Sequence, residues 1–305
     1  MRIRLLGTAA GGGFPQWNCN CVNCHGARAG TLSARPRSQS CVAVSADGRR
    51  WFLLNASPDV RVQIESFAPL LPRGTMRGTG VEGVLLSNAD LDHTLGLLVL
   101  REGKRLVVHA PPGVQLALTE GLSLTSVMAS YCGIDWREPP ADLAPLGCAD
   151  GSPSGLHYAV FSVPGEPPRY WQGGGETSAA FNVGYRLVDH ATGGRLVFMP
   201  DVADLNETVL AHLDDCDALL LDGTFWSQNE MQTMGTGRLS AADMDHQPVG
   251  GPAGSLARIG PLPIQRKIYM HINNTNPMLR EDSPERLAVE AVGVQIGWDG
   301  YEFVL

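Results

Sequence analysis

The stretch "LLSNADLDHTLGLL", residues 85–98, decides how the rest of the chain is read. An apolar run, Val84 to Leu86, stops abruptly, and Asp90, Asp92 and His93 follow before the chain turns apolar again at Leu95, Leu97 and Leu98. The pattern predicts a buried strand that ends there, with three side chains able to bind a metal crowded into positions 90–93. Strand ends are rigid platforms from which side chains can converge on one point beyond a sheet edge. A metal site therefore requires other strands to deliver partners to the same point.

Three others do. "RLVFMP" (195–200) runs into Asp201, "ALLLD" (218–222) ends on Asp222, and "KIYMH" (267–271) ends on His271. Taken singly, an Asp after a strand caps the next helix or opens a turn. Taken together, with a His at each end of the set, these residues point to a metal site. Further β-like runs lie at 2–6, 51–55, 105–110, 182–188 and 301–305. Helical patterns come between some of them: "SPDVRVQIESF" (57–67), with Pro58 in the expected first turn, and "SPERLAVEAV" (283–292), opening on Ser283–Pro284. Strands apolar throughout imply sheets covered on both faces. Two β-rich halves with interspersed helices therefore predict a layered α/β sandwich. The Gly/Pro-rich segments 72–83, 164–176 and 247–263 read as loops, because strands resume after each, so one domain over residues 1–305 is expected.

Composition sets the outer limits. With 305 residues, 44% hydrophobic and 18% charged, the chain can bury a sizeable core. A net charge of −8 argues against nucleic acid or an anionic membrane as a general partner. No apolar run approaches the roughly 18 residues of a membrane-spanning helix. The opening "MRIRLLGTAAGGGF" reads as a strand and a loop, not a secretory signal. A cytoplasmic chain with no membrane insertion is the expectation.

Seven cysteines are present, and three crowd into "CNCVNCH", residues 19–25. Cys21 to His25 match the C-x-x-C-H haem-attachment pattern, but that reading lacks an export signal and leaves Cys19 unexplained. Disulfides suit an oxidising compartment, and three thiols cannot form two of them without a distant partner. Structural Zn²⁺ held by Cys19, Cys21 and Cys24 with a fourth ligand uses all three thiolates. His25 is one candidate for that fourth place. The other four cysteines are isolated and read as small buried hydrophobes. His246, in "MDHQPVGG" (244–251), is either an unremarked loop residue or a proton-handling group.

The blocks "GTAAGGGFPQWNCNCVNC" (7–24), "SNADLDHTLGLL" (87–98), "FMPDV" (198–202), "LLLDGTFW" (219–226), "MDHQPVGG" (244–251) and "MHINNTNP" (270–277) resemble, in this order, the coenzyme pyrroloquinoline quinone synthesis protein B family. That family lies within the metallo-β-lactamase superfamily, and the resemblance spans nearly the whole chain. It implies a four-layer αββα sandwich and locates departures from the superfamily's H-x-H-x-D-H motif. Asn88 stands at the first His position and Asp90 at the second, while Asp92 and His93 are kept. The third-motif His, expected within "GETSAAF" (175–181), is absent, with Ser178 as its nearest counterpart. One pocket has thus lost its three-His set, and the other keeps Asp92, His93, Asp201 and His271, with Asp90 to assist.

Three imidazoles suit Zn²⁺ and hydrolysis, whereas two His with carboxylates and open positions approach the ligand set of non-haem Fe(II) oxygenases. Zn²⁺ or Cu²⁺ would compete for the same ligands. The resemblance implies an iron- and O₂-dependent hydroxylation of the tyrosine ring of a Glu–Tyr-derived precursor. In that scheme Asp222 orients a ligand and His246 handles protons. It also places the fourth ligand of the cysteine site three residues after the late His, at Asn274, so Asn274 and His25 both stand. A carrier of the quinone or its precursor towards the periplasm is the non-enzymatic alternative. A metallohydrolase is a third, disfavoured by the missing histidines. Expected partners are a small peptide- or amino-acid-derived precursor and other proteins of the pathway, with a homodimer left open. Arg169, Tyr170 and Trp171, in the loop "VPGEPPRYWQGGGE" (163–176), read equally as a grip on an anionic aromatic substrate or as ordinary loop packing.

Overall fold

Six strands open the chain: β1 (Arg2–Gly7), β2 (Cys41–Ser45), β3 (Trp51–Leu54), β4 (Val81–Leu85), β5 (Leu106–His109) and β6 (Ile134–Arg137). The second half supplies β7 (Ala144–Gly147), β8 (Pro153–Ser162), β9 (Val183–Asp189), β10 (Arg195–Met199), β11 (Ala218–Asp222), β12 (Arg266–Met270) and β13 (Val294–Ile296), and β14 (Glu302–Val304) closes it. In the computed structural model, which describes residues 1–173 and 180–305, these form two seven-stranded sheets. Their orders are β14-β1-β2-β3-β4-β5-β6 and β13-β12-β11-β10-β9-β8-β7. The last strand returns to pair antiparallel with the first, Phe303 opposite Ile3, and so ties the end of the chain to its start.

Side chains alternate across a strand, and here both sides meet apolar surface. Leu85 points between the sheets while Val84 and Leu86 point outward; Leu196 and Phe198 point inward while Val197 and Met199 point outward. Three apolar interfaces result. One lies between the sheets, one joins the first sheet to helices through Val60, Leu97, Val114 and Met128, and one joins the second to helices through Val209, Ile259 and Val289. Three interfaces separate four layers, the expected αββα sandwich.

Both sheets contain a parallel run, β3 to β6 and β10 to β13, so the carboxyl ends within each run share an edge. Ligand sites in such sheets form beyond those ends. The strands named from sequence are all present. Those not foreseen are β2, β6, β7, β8 and β13. In β8, "PSGLHYAVFS", exposed and buried residues alternate, which dilutes the apolar signal, and β13 has only three residues. The 247–263 segment is not wholly loop, since Ser255–Ile259 is helical. The helix expected from Pro58 begins at Val60, with Asp59 before it. Ser283 caps its helix as expected, accepting from the Arg286 amide at 3.1 Å. Among the described residues, no helix is long and apolar enough to cross a membrane.

Candidate functional site

The strand ends converge. Leu91–Thr94 form one helical turn shortly after β4, and this turn carries Asp92 and the fully buried His93. Asp201 follows β10, Asp222 ends β11, and His271 follows β12. Two groups have ligand atoms all within 4.8 Å of one another: Asp92, His93 and His271, and Asp201, His246 and His271. His271 is common to both.

Hydrogen bonds fix which nitrogen each ring presents. His93 Nδ1 lies 2.8 Å from Asn88 Oδ1 and 3.2 Å from Asp201 Oδ2. Its Nε2 is buried, has no hydrogen-bond partner, and lies 4.0 Å from Asp92 Oδ2. His271 Nε2 faces Asp92 Oδ2 at 3.2 Å, and its Nδ1 meets Thr224 Oγ1 at 2.8 Å and Asp201 Oδ1 at 3.2 Å. Thr224 Oγ1 is also 2.6 Å from Asp222 Oδ1. Asp222 Oδ2 pairs with His246 Nδ1 at 2.7 Å. The His93 and His271 imidazoles are buried, whereas Asp92, Asp201 and His246 are 17%, 11% and 10% exposed, so access is from the side of those three.

The field of this cluster favours positive charge. Burial alone would depress His271, yet Asp201 and Asp92 push it up to about 10. Burial also opposes protonation of His246, but Asp222 beside it raises the ring above its ordinary value. Asp222 and Asp92 stay below the usual carboxylate range against their burial, held there chiefly by His246 and His93 respectively. His93 differs, because burial wins and lowers it. The orphaned, buried Nε2 of His93, beside the Asp92 carboxylate and the His271 ring, fits a divalent cation.

Asp90 belongs to neither group. Burial, then Asp201 and Asp92, push its carboxyl up to about 7. Asn88, which reads in sequence as a lost ligand, has acquired another task. Its Oδ1 accepts from His93 and its Nδ2 donates to Asp201 Oδ2 at 2.6 Å. Thr224, which joins His271 to Asp222, is a further member of this cluster that no sequence motif signals. Of the loop trio, Tyr170 donates to the Ala89 carbonyl at 2.7 Å and the Trp171 ring centre is 6.0 Å from that of Phe181, while Arg169 is exposed. Ser178 and the end of that loop lie outside the described residues.

The second centre is local. Cys19, Cys21 and Cys24 have their sulfurs within 4.8 Å of one another. Backbone N–H groups of Cys21, Cys24 and Gln16 point at Cys19, Cys21 and Cys24 Sγ at 3.4, 3.5 and 3.3 Å. Such donors favour thiolates. Burial raises Cys21, but the Cys24 N–H and its neighbours bring it below its ordinary value, while burial pushes Cys24 up to about 11. The Asn274 amide sits over all three sulfurs at 3.1, 3.6 and 3.4 Å. A half-turn of that amide presents its oxygen instead. His25 lies outside the group, exposed and 3.3 Å from Asn20. Three soft donors with an amide oxygen to hand fit Zn²⁺.

A model of the β-lactamase superfamily domain matches residues 50–272. Over the whole of both chains the sequence is 42% identical to coenzyme PQQ synthesis protein B of Pseudomonas putida and 39% identical to that of Methylobacillus flagellatus. The fold is similar to the crystal structure of Zn²⁺-bound PqqB from Methylobacterium extorquens, with a TM-score of 0.89 and 38% identity across the whole of both chains.

Proposed function

The chain belongs to the coenzyme PQQ synthesis protein B family of the metallo-β-lactamase superfamily, and on that premise we propose that it acts in pyrroloquinoline quinone biosynthesis. The reaction is hydroxylation of the tyrosine ring of a Glu–Tyr-derived precursor, using O₂ and a non-haem Fe²⁺, within one domain spanning residues 1–305. The observation that carries the reading is the donor set. Asp92, His93 and His271 form a two-His, one-carboxylate group, and Asn88 occupies the place of a motif histidine by hydrogen-bonding rather than by offering a ligand. Such a set with open positions is the one used by Fe(II) oxygenases.

Asp92, His93 and His271 would hold the cation, which when bound would supply O₂ binding and one-electron chemistry, while Asp201, expected from the motif as a further ligand, meets the Nδ1 atoms of both rings. The chain's own residues do the rest. Asn88 keeps His93 Nδ1 engaged, so only Nε2 is offered. Thr224 and Asp222 do the same for His271. His246, fixed by Asp222 at 2.7 Å, holds a proton at the edge of the cluster and can release it to the substrate. Placing one oxygen atom of O₂ on a ring carbon sends the other to water, with two electrons and two protons from an external reductant. Asp90 adds a carboxyl near Asp92 and Asp201 that is poised about neutrality. The thiolates and Asn274 would hold structural Zn²⁺, and the Methylobacterium extorquens relative is itself Zn²⁺-bound. A cytoplasmic location and a precursor partner belong to this reading, and a homodimer remains compatible with it.

Anaerobic loading with Fe²⁺, followed by O₂, a reductant and a Glu–Tyr-derived precursor, tests it by mass analysis. The expected product is heavier by one or more oxygen atoms and absent in His93→Ala. An unmodified precursor that nevertheless binds tightly would replace the hydroxylase with a carrier.

A further inference from the structure

Asn23 lies between the second and third cysteines of "CNCVNC" and is 1% exposed. Its Nδ2 donates to the carbonyls of Asn274 and Asn276 at 3.1 and 3.0 Å. Both acceptors are carbonyl oxygens, so the orientation of the amide is fixed, and its Oδ1 has no partner. A buried amide that leaves its oxygen unsatisfied in order to hold two carbonyls is costly unless those carbonyls matter.

They belong to the segment that carries His271. That residue sits in the left-handed region, φ 55°, which a side chain with a β-carbon adopts uncommonly and which contacts on both sides hold in place here. On one side the hold comes from the end of β11. The Gly223 N–H donates to the Met270 carbonyl at 2.8 Å, the Asn273 N–H donates to the Thr224 carbonyl at 3.1 Å, and Asn276 Nδ2 donates to the Gly223 and Thr224 carbonyls at 2.9 and 3.1 Å. On the other side it comes from Asn23, in the first turn of the helix Val22–Ala29 directly after Cys21. The 271–276 segment is therefore held between the two candidate metal centres.

We propose that Asn23 is a positioning residue that couples the two centres. Gathering the three thiolates around a cation fixes the start of the helix. Asn23 passes that fixation to the 274 and 276 carbonyls, and so sets how His271 presents its imidazole. The proposal rests on reading Asp92, His93 and His271 as a cation site. Coupling of this kind is reciprocal, so each cation tightens the hold on the other by the same factor.

Mn²⁺ is the probe, because it binds thiolates poorly and leaves the cysteine centre to zinc. Its affinity and electron paramagnetic resonance spectrum are measured on the zinc-replete full chain, with zinc content and Tm recorded for each sample. Asn23→Asp keeps the size of the side chain but turns an acceptor towards two acceptors; Asn23→Ala removes the donors without adding charge. Either variant, zinc-replete and folded, is expected to bind Mn²⁺ about tenfold or more weakly and with an altered spectrum. Wild-type affinity and spectrum in such a variant overturn the proposal. A second arm needs no variant: zinc affinity of the wild type, by competition with a zinc-selective chelator, is expected to rise severalfold when Mn²⁺ is saturating. An unchanged zinc affinity overturns the coupling. Failure of the wild type to bind Mn²⁺ at all overturns the cation site itself, and the coupling with it.

Discussion

The cysteine centre and the histidine–carboxylate centre share a wall, residues 271–276, yet they are built in opposite ways. The first takes its three sulfurs from positions 19–24, where a loop becomes a short helix. Those thiols are held by N–H groups of their own segment, the Asn274 amide, the Asn23 tie to the 274 and 276 carbonyls and the packing of Cys21 and Cys24 in the core. The second draws residues from 88 to 271, each delivered by a strand end and tied to the next by hydrogen bonds, Asn88 to His93 and Asp201, Thr224 to His271 and Asp222. A cation gathered by a local segment contributes to folding, because the unfolded chain holds no such site. A site assembled by a sheet is formed by the fold before any cation binds.

The largest effect is therefore expected on the cysteine side. Replacing Cys19, Cys21 and Cys24 together by Ser should abolish tight zinc binding and lower Tm by about 10 °C or more. Structural zinc contributes ~10 kcal/mol of binding free energy at pH 7, and each kcal/mol moves Tm by roughly 2 °C in a chain of this size. Thermal melting with elemental analysis checks this, and full zinc content with an unchanged Tm would break the comparison. A smaller effect, confined to the second centre, is expected from Asn88→Ala. The fold should persist, since the strands that deliver His93 and Asp201 are untouched. Affinity for a divalent metal at that centre should fall about 10- to 100-fold, the usual effect of removing a residue that orients a ligand. Isothermal titration on zinc-replete protein reads the change. A drop in Tm matching that of the cysteine variant would mean the second centre also holds the fold together.

The same contrast explains what could be read from the sequence. The three cysteines stand together because their centre is local. The strand ends at Asp92, Asp201, Asp222 and His271 are marked by an apolar run followed by a polar residue, so they too are legible in the order of residues alone. What the strand ends do to one another is not. Asn88 and Asp201 are 113 positions apart, and only the pairing of sheets reveals that the amide bridges His93 to that carboxylate. Thr224 and Asn23 carry no motif of their own, and their partners come chiefly from the segment that follows β12. Asp90 illustrates the converse. Its place in the motif suggested a ligand, but position in a motif does not fix where a side chain points, and its carboxylate falls outside both groups. In the fold, β8 is interrupted by polar residues and β13 has only three residues, so neither forms the unbroken apolar run by which the foreseen strands are legible.

The most direct test is anomalous diffraction at the iron edge from crystals of zinc-replete protein soaked anaerobically in Fe²⁺. The expected result is one iron peak among the Asp92 carboxylate, His93 Nε2 and His271 Nε2, at about 2 Å from each. The strand-end side chains should stay within ~0.5 Å of their positions here, as a site formed by the fold requires. No iron at saturation, or iron held only after Asp92 and His271 have moved apart, would contradict it.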